Sequence, residues 1–582
     1  MVNVKNLFGM AVMATALVGC SSNDNLAPDG KDNVGTTGEA YASFKINLPT
    51  TTGNGTRAGE PGTPSFDHGT AAEYEVKNGT ILIFDNSGNF IESAELGNMN
   101  PWTNEKDGTG VTTAAIATVQ LHNVSVGGSY QALVLLNNNT ETTNPKVKMP
   151  TSTDTYASWS ANADNADADE YVKTDGIFMA NAPEYSATSD PKTLVPVAHV
   201  CASREQAEAM GATTVYVERG LAKVMEKFTP GGYTISGGTY DGGKVEITNW
   251  ELDVTNKSTY PVHQVGDLST TTWGAIWNTD RFHDTDTKST FKRIYWGIDP
   301  NYANADYQKL ANCKNAFNLI TDNSKILGEA GQDNPQYCLE NTFDLDNMKQ
   351  GQTTRVVFKA KFIPNGCTAA ETFYKIGNNT AIWKKAALEA QIKTLAINAM
   401  GITTTAEQEK YDVKLDAPTN NISGEAGQHF IKTANITFSD ATGTYTSKVD
   451  DRVIKEINEK LGLSEADPTT HKEKVGISTY LNGEAYYIAR IKHFSKLTDW
   501  NPGDFTYSNP DLTKEENNNK YLGRYGVLRN NWYSLSVNTV SGLGYPEVPE
   551  VKPNVPDDEN DQYINVEVKI LDWAMRKQVI DL

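Results

Sequence analysis

Short runs in which apolar and polar residues alternate recur along most of the chain, and period two is the signature of a strand with one covered face. The clearest run comes first. Ala42, Phe44, Ile46 and Leu48 fall on one side of residues 41–48, and Tyr41, Ser43, Lys45 and Asn47 on the other. Further strands are predicted at residues 79–84, 114–121, 130–136, 244–254, 354–362, 485–491 and 532–540, with turn-rich polar segments between them. Residues 215–228 fit either element type, and the alternation of Val215, Val217 and Arg219 favours a strand. Helical patterns are fewer: residues 202–210, residues 381–399 with Thr380 as N-cap, and residues 448–461. The fold class is therefore mainly β, built as β-sandwiches with a few short helices. Six glycines between residues 231 and 243 mark a domain boundary. An N-terminal β-sandwich domain is expected over residues 58–235 and a C-terminal one over residues 236–545.

Both ends depart from this pattern. Lys5 precedes an apolar stretch over residues 7–18, about a dozen residues long and too short to span a bilayer, which is the form of a signal-peptide core. Leu17, Val18, Gly19 and Cys20 follow, and this resembles a bacterial lipobox, in which the cysteine is acylated. Residues 1–19 are read as a lipoprotein signal peptide and Cys20 as the lipidation site. Residues 21–39 are a polar tether leading into the first strand. Residues 49–62 are rich in Thr, Gly and Pro and form an exposed, cleavable loop whose one basic residue is Arg57. Cutting between Arg57 and Ala58 makes residues 20–57 a propeptide. At the other end, residues 545–561 hold Pro546, Pro549, Pro553 and Pro556 among many acids and read as an extended hinge. The hinge, with the strands after it, is assigned to residues 546–582. Ile564, Val566, Val568 and Ile570 then share one face, and Leu571, Trp573 and Met575 the opposite one, so a bulge or turn is expected near 570–571. Apolar residues continue at Val579, Ile580 and Leu582.

Composition narrows the function. The chain has 582 residues, 38% of them hydrophobic, and a formal net charge of -21. Its Lys and Arg form no stripe, which argues against nucleic acid. Glycine-rich nucleotide loops, zinc-protease motifs and serine-hydrolase elbows are absent, so no catalytic residue and no cofactor is assigned. His283 with Asp284 and Asp286, and the acids Asp164, Asp167, Asp169 and Glu170, fit solvated loops better than cation sites. No metal site is assigned. Beyond Cys20 the cysteines are Cys201, Cys313, Cys338 and Cys367. In an oxidising compartment Cys313 and Cys338 are a pair to consider for a disulfide, with buried free thiols as the alternative.

What carries information is position. An apolar strand precedes a lone arginine in a cleavable loop, and another apolar strand lies on a proline-rich hinge near the other end. If the first strand completes a sheet, cutting after Arg57 lets it leave, and the vacated edge is a template for another chain's strand. Four buried apolar side chains at about 1.5–3 kcal/mol each give roughly 6–12 kcal/mol before entropic costs. A head-to-tail contact of this kind does not close and grows a filament. In this reading Ala42, Phe44, Ile46 and Leu48 are the leaving strand. Ile564, Val566, Val568, Ile570, Leu571, Trp573, Met575, Val579, Ile580 and Leu582 are the donor residues.

The order of these features resembles that of the Bacteroidales fimbrillins, most closely the shaft subunit of short fimbriae. The resemblance rests on the lipobox, the first strand and the loop Thr56-Arg57-Ala58-Gly59. It also rests on residues 217–224, 250–256, 337–342 and 354–361, on Tyr525-Gly526-Val527-Leu528-Arg529-Asn530-Asn531-Trp532-Tyr533, and on the ending from Val566 to Leu582. It implies two transthyretin-like sandwich domains, export to the outer membrane as a lipidated precursor, proteolysis after an arginine, and extracellular homopolymers formed by donor-strand exchange. The implied partners are further copies of the chain, anchor and tip subunits, a processing protease, and host or bacterial surface receptors, with adhesion, biofilm formation and virulence as the outcome. The motif at residues 529–533 is expected to be a turn leading into a core strand. The competing readings are a monomeric surface lipoprotein that binds glycans or host proteins, a tip or anchor subunit, and a secreted hydrolase.

Overall fold

The computed structural model describes residues 39–49, 70–97, 111–138, 146–165, 168–171, 176–186, 189–228, 231–266, 282–283, 291–329, 334–377, 379–416, 429–440, 448–465, 474–493, 522–557, 564–571 and 576–577. The chain is mainly β, with sheets curled into sandwiches and a small number of helices.

The first sheet is assembled from β1 (Ala40–Pro49), β2 (Gly79–Asp85), β3 (Phe90–Glu95), β4 (Val111–Leu121), β5 (Tyr130–Leu136), β6 (Met179–Asn181) and β7 (Thr213–Arg219). Its order is β3-β2-β5-β6-β7-β1-β4, with Val195–Pro196 paired to β5. The sheet curls around one apolar core, to which β1 gives Ala40, Ala42, Phe44, Ile46 and Leu48, and β2, β5 and β7 give Ile81, Ile83, Val134, Val215 and Val217. The alternation read along residues 41–48 thus sets the inward face. The other face is also largely covered, contrary to a half-buried strand. Ser43 and Asn47 are buried, and helix α2 (Arg204–Met210) packs on β1 with Arg204 over the Tyr41 ring.

Residues 215–228 are not one strand. β7 ends at Arg219, and β8 (Ala222–Lys227) enters a different sheet. The break is at Gly220, where a Cβ would meet Phe178 Cδ1 at 2.7 Å, so only glycine allows the crossing. The chain therefore passes to the second sheet ahead of the glycine cluster at 231–243. That sheet has the order β10-β8-β13-β14-β15, with β10 at Gln336–Cys338, β13 at Trp532–Val540, β14 at Ile564–Leu571 and β15 at Arg576–Lys577. A third sheet faces it and contains β9 (Lys244–Asp253), β11 (Arg355–Ile363) and β12 (Glu484–Arg490). Trp250, Phe358, Tyr487, Tyr533 and Leu535 fill the space between the two.

A separate apolar cluster lies under α3 (Lys385–Met400) and α4 (Asp451–Lys460), which bury Leu388, Ile392, Val453 and Ile457. Asp450 caps α4 by accepting from Val453 N. The start of α3 differs from the sequence reading. Ile382–Trp383 pairs as a strand with Phe373–Ile376, so the helix begins at Lys385 and Thr380 is not its cap. Among the described residues, no helix is long and apolar enough to cross a membrane.

Candidate functional site

The first strand lies inside its sheet, not at its border. β1 runs antiparallel to β4, from Ala40 opposite Leu121 to Pro49 opposite Val111, and parallel to β7, from Phe44 opposite Thr213 to Asn47 opposite Tyr216. Tyr41 exchanges two backbone hydrogen bonds of 2.8 Å with Cys201, and Ser43 Oγ and Thr118 Oγ1 are 2.8 Å apart. Among the described residues β4 pairs with no strand except β1. Side chains supply its other fastenings. Glu92 on β3 accepts from His122 N at 3.0 Å and Asn123 N at 2.8 Å, and Arg204 Nη1 donates to Thr118 O at 2.8 Å. Ile116 on the same strand is 67% exposed. Removing β1 would strip β4 of its ladder and bare the edge of β7 together with five apolar pockets.

The leaving-strand residues Ala42, Phe44, Ile46 and Leu48 stand in β1, while Cys20, Arg57 and Ala58 lie outside the described residues. Of the donor residues, Ile564, Val566, Val568, Ile570 and Leu571 stand in β14; Trp573, Met575, Val579, Ile580 and Leu582 lie outside the described residues. β14 is docked at home, antiparallel to β13, with Ile564 opposite Val540 and Leu571 opposite Trp532. β15 pairs back onto Lys569 and Ile570, so the change of phase after Ile570 is met by a chain reversal and not by a bulge. The two segments singled out in the sequence therefore occupy different sheets.

Residues 545–557 are not a free hinge. They form a belt stapled across the second half of the molecule. Tyr545 exchanges backbone hydrogen bonds of 2.8 Å with Tyr486; Val548 and Val551 are buried in separate small clusters; Arg355 Nη2 donates to Pro549 O at 2.8 Å; Gln350 N donates to Val555 O at 2.9 Å. Proline has no N–H, so its carbonyl is the group that needs a partner, and the bonds to Pro549 O and Val555 O satisfy the backbone there without a sheet. The belt ends on Asp557, whose side chain is fully buried. Asp557 Oδ1 accepts from Arg524 Nη2 at 2.7 Å, Oδ2 from Thr353 Oγ1 at 3.3 Å, and the backbone N donates to Met348 O at 3.1 Å. Burial, with the neighbouring Arg524 guanidinium, pushes the Lys492 ammonium down to about 8.

A second buried carboxylate stands at the start of the described residues that follow β1. Glu73, on the short helix α1 (Ala71–Tyr74), bonds Lys223 Nζ at 2.6 Å and accepts from Tyr337 OH at 2.6 Å and Thr70 N at 2.7 Å. Burial raises its pKa, but the Lys223 charge and these hydrogen bonds outweigh it and hold the carboxyl below its usual value. Neither carboxylate was legible in the sequence, where Asp557 is one acid in an acidic run and Glu73 one in a polar stretch. Their tyrosine, threonine and basic partners are remote in the chain.

The motif at residues 529–533 is a turn leading into β13. Asn530 has a left-handed φ of 60°, and its Oδ1 accepts from Arg219 N at 3.3 Å. Cys313 and Cys338 are separate buried thiols, which corrects the disulfide considered from sequence: they sit in different clusters, and Cys313 Sγ donates to Gly351 O at 3.0 Å. His283 is buried and stacked on Tyr185, and Asp164 pairs with Lys148. Asp167 lies outside the described residues, as do Asp284 and Asp286. Among the described residues, no group of His, Cys, Asp or Glu is placed to hold a metal ion.

These features define a β-sandwich protein with an N-terminal strand set within a sheet and a C-terminal strand added to another. Residues 478–579, which include β12 to β15, match the family model described as major fimbrial subunit protein type IV, fimbrillin, C-terminal. No curated protein matches the chain. Among solved structures, a fimbrial assembly protein from Parabacteroides distasonis is similar over 39% of this chain and 68% of its own, at 15% identity and a TM-score of 0.21.

Proposed function

We propose that the chain is a structural, non-enzymatic subunit of a cell-surface fimbria. In this reading it is exported as a precursor lipidated on Cys20, cut between Arg57 and Ala58, and polymerised when the C-terminal segment of one copy takes the place of β1 in the next. The observation that carries the reading is the interior position of β1, a strand at the N-terminal side of a cleavable loop with β4 held to the sheet through it. Phe44, Ile46 and Leu48 alone bury side chains worth roughly 1.5–3 kcal/mol each, so the vacated slot demands an apolar replacement. That replacement must lie between β7 and β4, parallel to one and antiparallel to the other, with apolar residues at alternate positions. The family match at residues 478–579 supports the same reading from the other end of the chain. The shaft is the assigned place in the fimbria, with anchor and tip subunits and surface receptors as further partners.

One observation favours a monomeric surface lipoprotein instead: β14 already has a strand partner in its own molecule. Donation requires it to give up β13 for the strands flanking β1 in a neighbour. Deleting residues 562–582 separates the two readings. The fimbrial reading expects a folded, exported monomer that forms no ladder on gels run without boiling; persisting ladders would refute the donor assignment. Arg57→Ala should trap a lipid-bound, unpolymerised precursor, and normal fibres from it would count against activation by cleavage.

A further inference from the structure

The belt ends on a buried charge, and that placement calls for a reason. An extended segment rich in proline and acids would be soluble and adequately held by Val548 and Val551. Burying Asp557 with Arg524 adds the desolvation of two ions, a cost that good geometry and extra hydrogen bonds must offset. The geometry here is of that quality: a short charge-assisted bond of 2.7 Å and a backbone bond to Met348 O, with the Thr353 hydroxyl, which donates to Lys349 O at 2.8 Å, lying 3.3 Å from Oδ2, and with the two charged side chains 4% and 0% exposed. The residues next to it are fixed as well. Gln350 holds Val555 O, and Pro553 lies so close to Gly351 that a Cβ there would sit 2.8 Å from Pro553 Cβ. Six residues, 558–563, separate this point from the first residue of β14.

We propose that the Asp557–Arg524 pair is a clasp that fixes the root of the C-terminal arm, so that the reach of the donated strand, and with it the spacing of subunits, is set by six residues and not by the whole belt. The inference rests on the donor-strand reading above. A six-residue spacer reaches at most about 20 Å when fully extended. If the clasp opens, the root is left to the fastenings behind it, among them the Gln350 N bond to Val555 O, the Arg355 bond to Pro549 O and the buried Val548 and Val551, and as these yield the spacer lengthens toward residues 546–563. A longer tether lets the strand find its slot over a wider range of distances and angles. Neighbouring copies then still join, but without a fixed offset. Asp557 is thus a positioning residue: it acts on where the donated strand emerges, not on whether it binds.

The test uses the full chain carrying Asp557→Asn, activated by cleavage with trypsin. Deletion of residues 562–582 runs beside it as the control for the donor reading. The expected result is a ladder on unboiled gels like that of the parent, with a melting curve that stays cooperative, but fibres whose axial repeat is irregular in electron micrographs and whose layer lines are lost. Limited proteolysis should cut the variant within residues 549–557 and leave the parent uncut there. Fibres with the parent's repeat and an uncut belt would overturn the clasp while leaving the donor reading intact. Ladders that survive the deletion would overturn the donor reading, and the clasp with it. If Asp557→Asn does not fold, Arg524→Gln decides from the other side of the pair: loss of fibre order with cutting inside residues 549–557 supports the clasp, and the parent's order with an uncut belt refutes it. Hydrogen exchange on the parent gives an independent answer. The Asp557 amide should be protected in monomer and fibre alike, and exchange at the rate of an open loop would also overturn the proposal.

Discussion

At the scale of single residues, Glu226 is a group poorly suited to its place. It stands on β8 in phase with Ala222 and Val224, which line the core between the second and third sheets, and it is 4% exposed. Neither carboxylate oxygen has a hydrogen-bond partner of good geometry among the described residues; burial raises its pKa well above the ordinary value, and the adjacent Lys227 N–H, too poorly placed for a proper hydrogen bond, opposes this only in part. A folded-state pKa raised above the unfolded one means that the folded chain holds the proton more tightly. The associated stability is complete below the unfolded value, about 4.3 for Glu, and is lost as pH rises through the folded one. Glu226→Gln removes the ionisable group. It should match the parent near pH 4 and be more stable at pH 7 by about 1–3 kcal/mol, the usual cost of a buried unsatisfied polar group. Melting curves across that range check this, and parallel curves for parent and variant would rule it out. The sequence reading placed residues 215–228 in a strand, but alternation cannot show which of 72 acidic residues lacks a partner. The same limit hid Glu73 and Asp557, whose partners are brought up by the fold.

At the scale of elements, the strands that matched were those whose neighbours are all apolar or all turn. Residues 130–136 and 532–540 are strands with the boundaries that the pattern gives. Pattern and structure part where one pattern serves two elements. Ile382 and Trp383 continue an apolar helical run, yet hydrogen-bond as a strand because Phe373–Ile376 lies alongside. The belt reads as free chain because Val548 and Val551 follow neither strand nor helix spacing, and each finds its own small cluster. β1 is legible on its inward face from Ala42 to Leu48, to which the structure adds Ala40, and its energetic weight can be tested. Phe44 is fully buried in the first core, so Phe44→Ala should lower the stability of the uncleaved precursor by about 3–5 kcal/mol. The same residue is gone from a chain whose residues up to 57 have been removed, so parent and variant should then be identical. Denaturant titration before and after cleavage makes the comparison. Equal loss in both forms would mean that β1 stays in its sheet after the cut.

At the scale of the whole molecule, the two halves are joined by buried polar groups as well as by hydrocarbon. Apolar residues of the first sheet, among them Phe84 and Leu135, pack with Leu221, Met225 and Trp532 from the second. Around them, His263 Nδ1 is 2.7 Å from Glu218 Oε1, Arg219 N donates to Asn530 Oδ1 at 3.3 Å, and Lys223 sits between Glu73 and the Trp532 ring, 3.9 Å from its centroid. The glycine cluster suggested a boundary at 231–243, but the chain crosses between sheets at Gly220, a single glycine whose role is set by Phe178 from the first half. Glu73 and Lys223 give the clearest test of this junction. Both side chains are 4% exposed, and a lone charge left there is far more costly than the pair. Glu73→Gln should therefore cost about 3–5 kcal/mol, because Lys223 keeps its charge without a counter-ion. Adding Lys223→Met removes that stranded charge and keeps much of the buried stem, so the double variant should recover most of the loss. The positive coupling is read from a double-mutant cycle in denaturant. Calorimetry adds a second reading: with the junction intact the halves should melt together, and in Glu73→Gln the endotherm should broaden or split, each half having its own core. If Glu73→Gln and the double variant lose the same stability, the pair carries no coupling, and the two halves are held by their apolar contact alone.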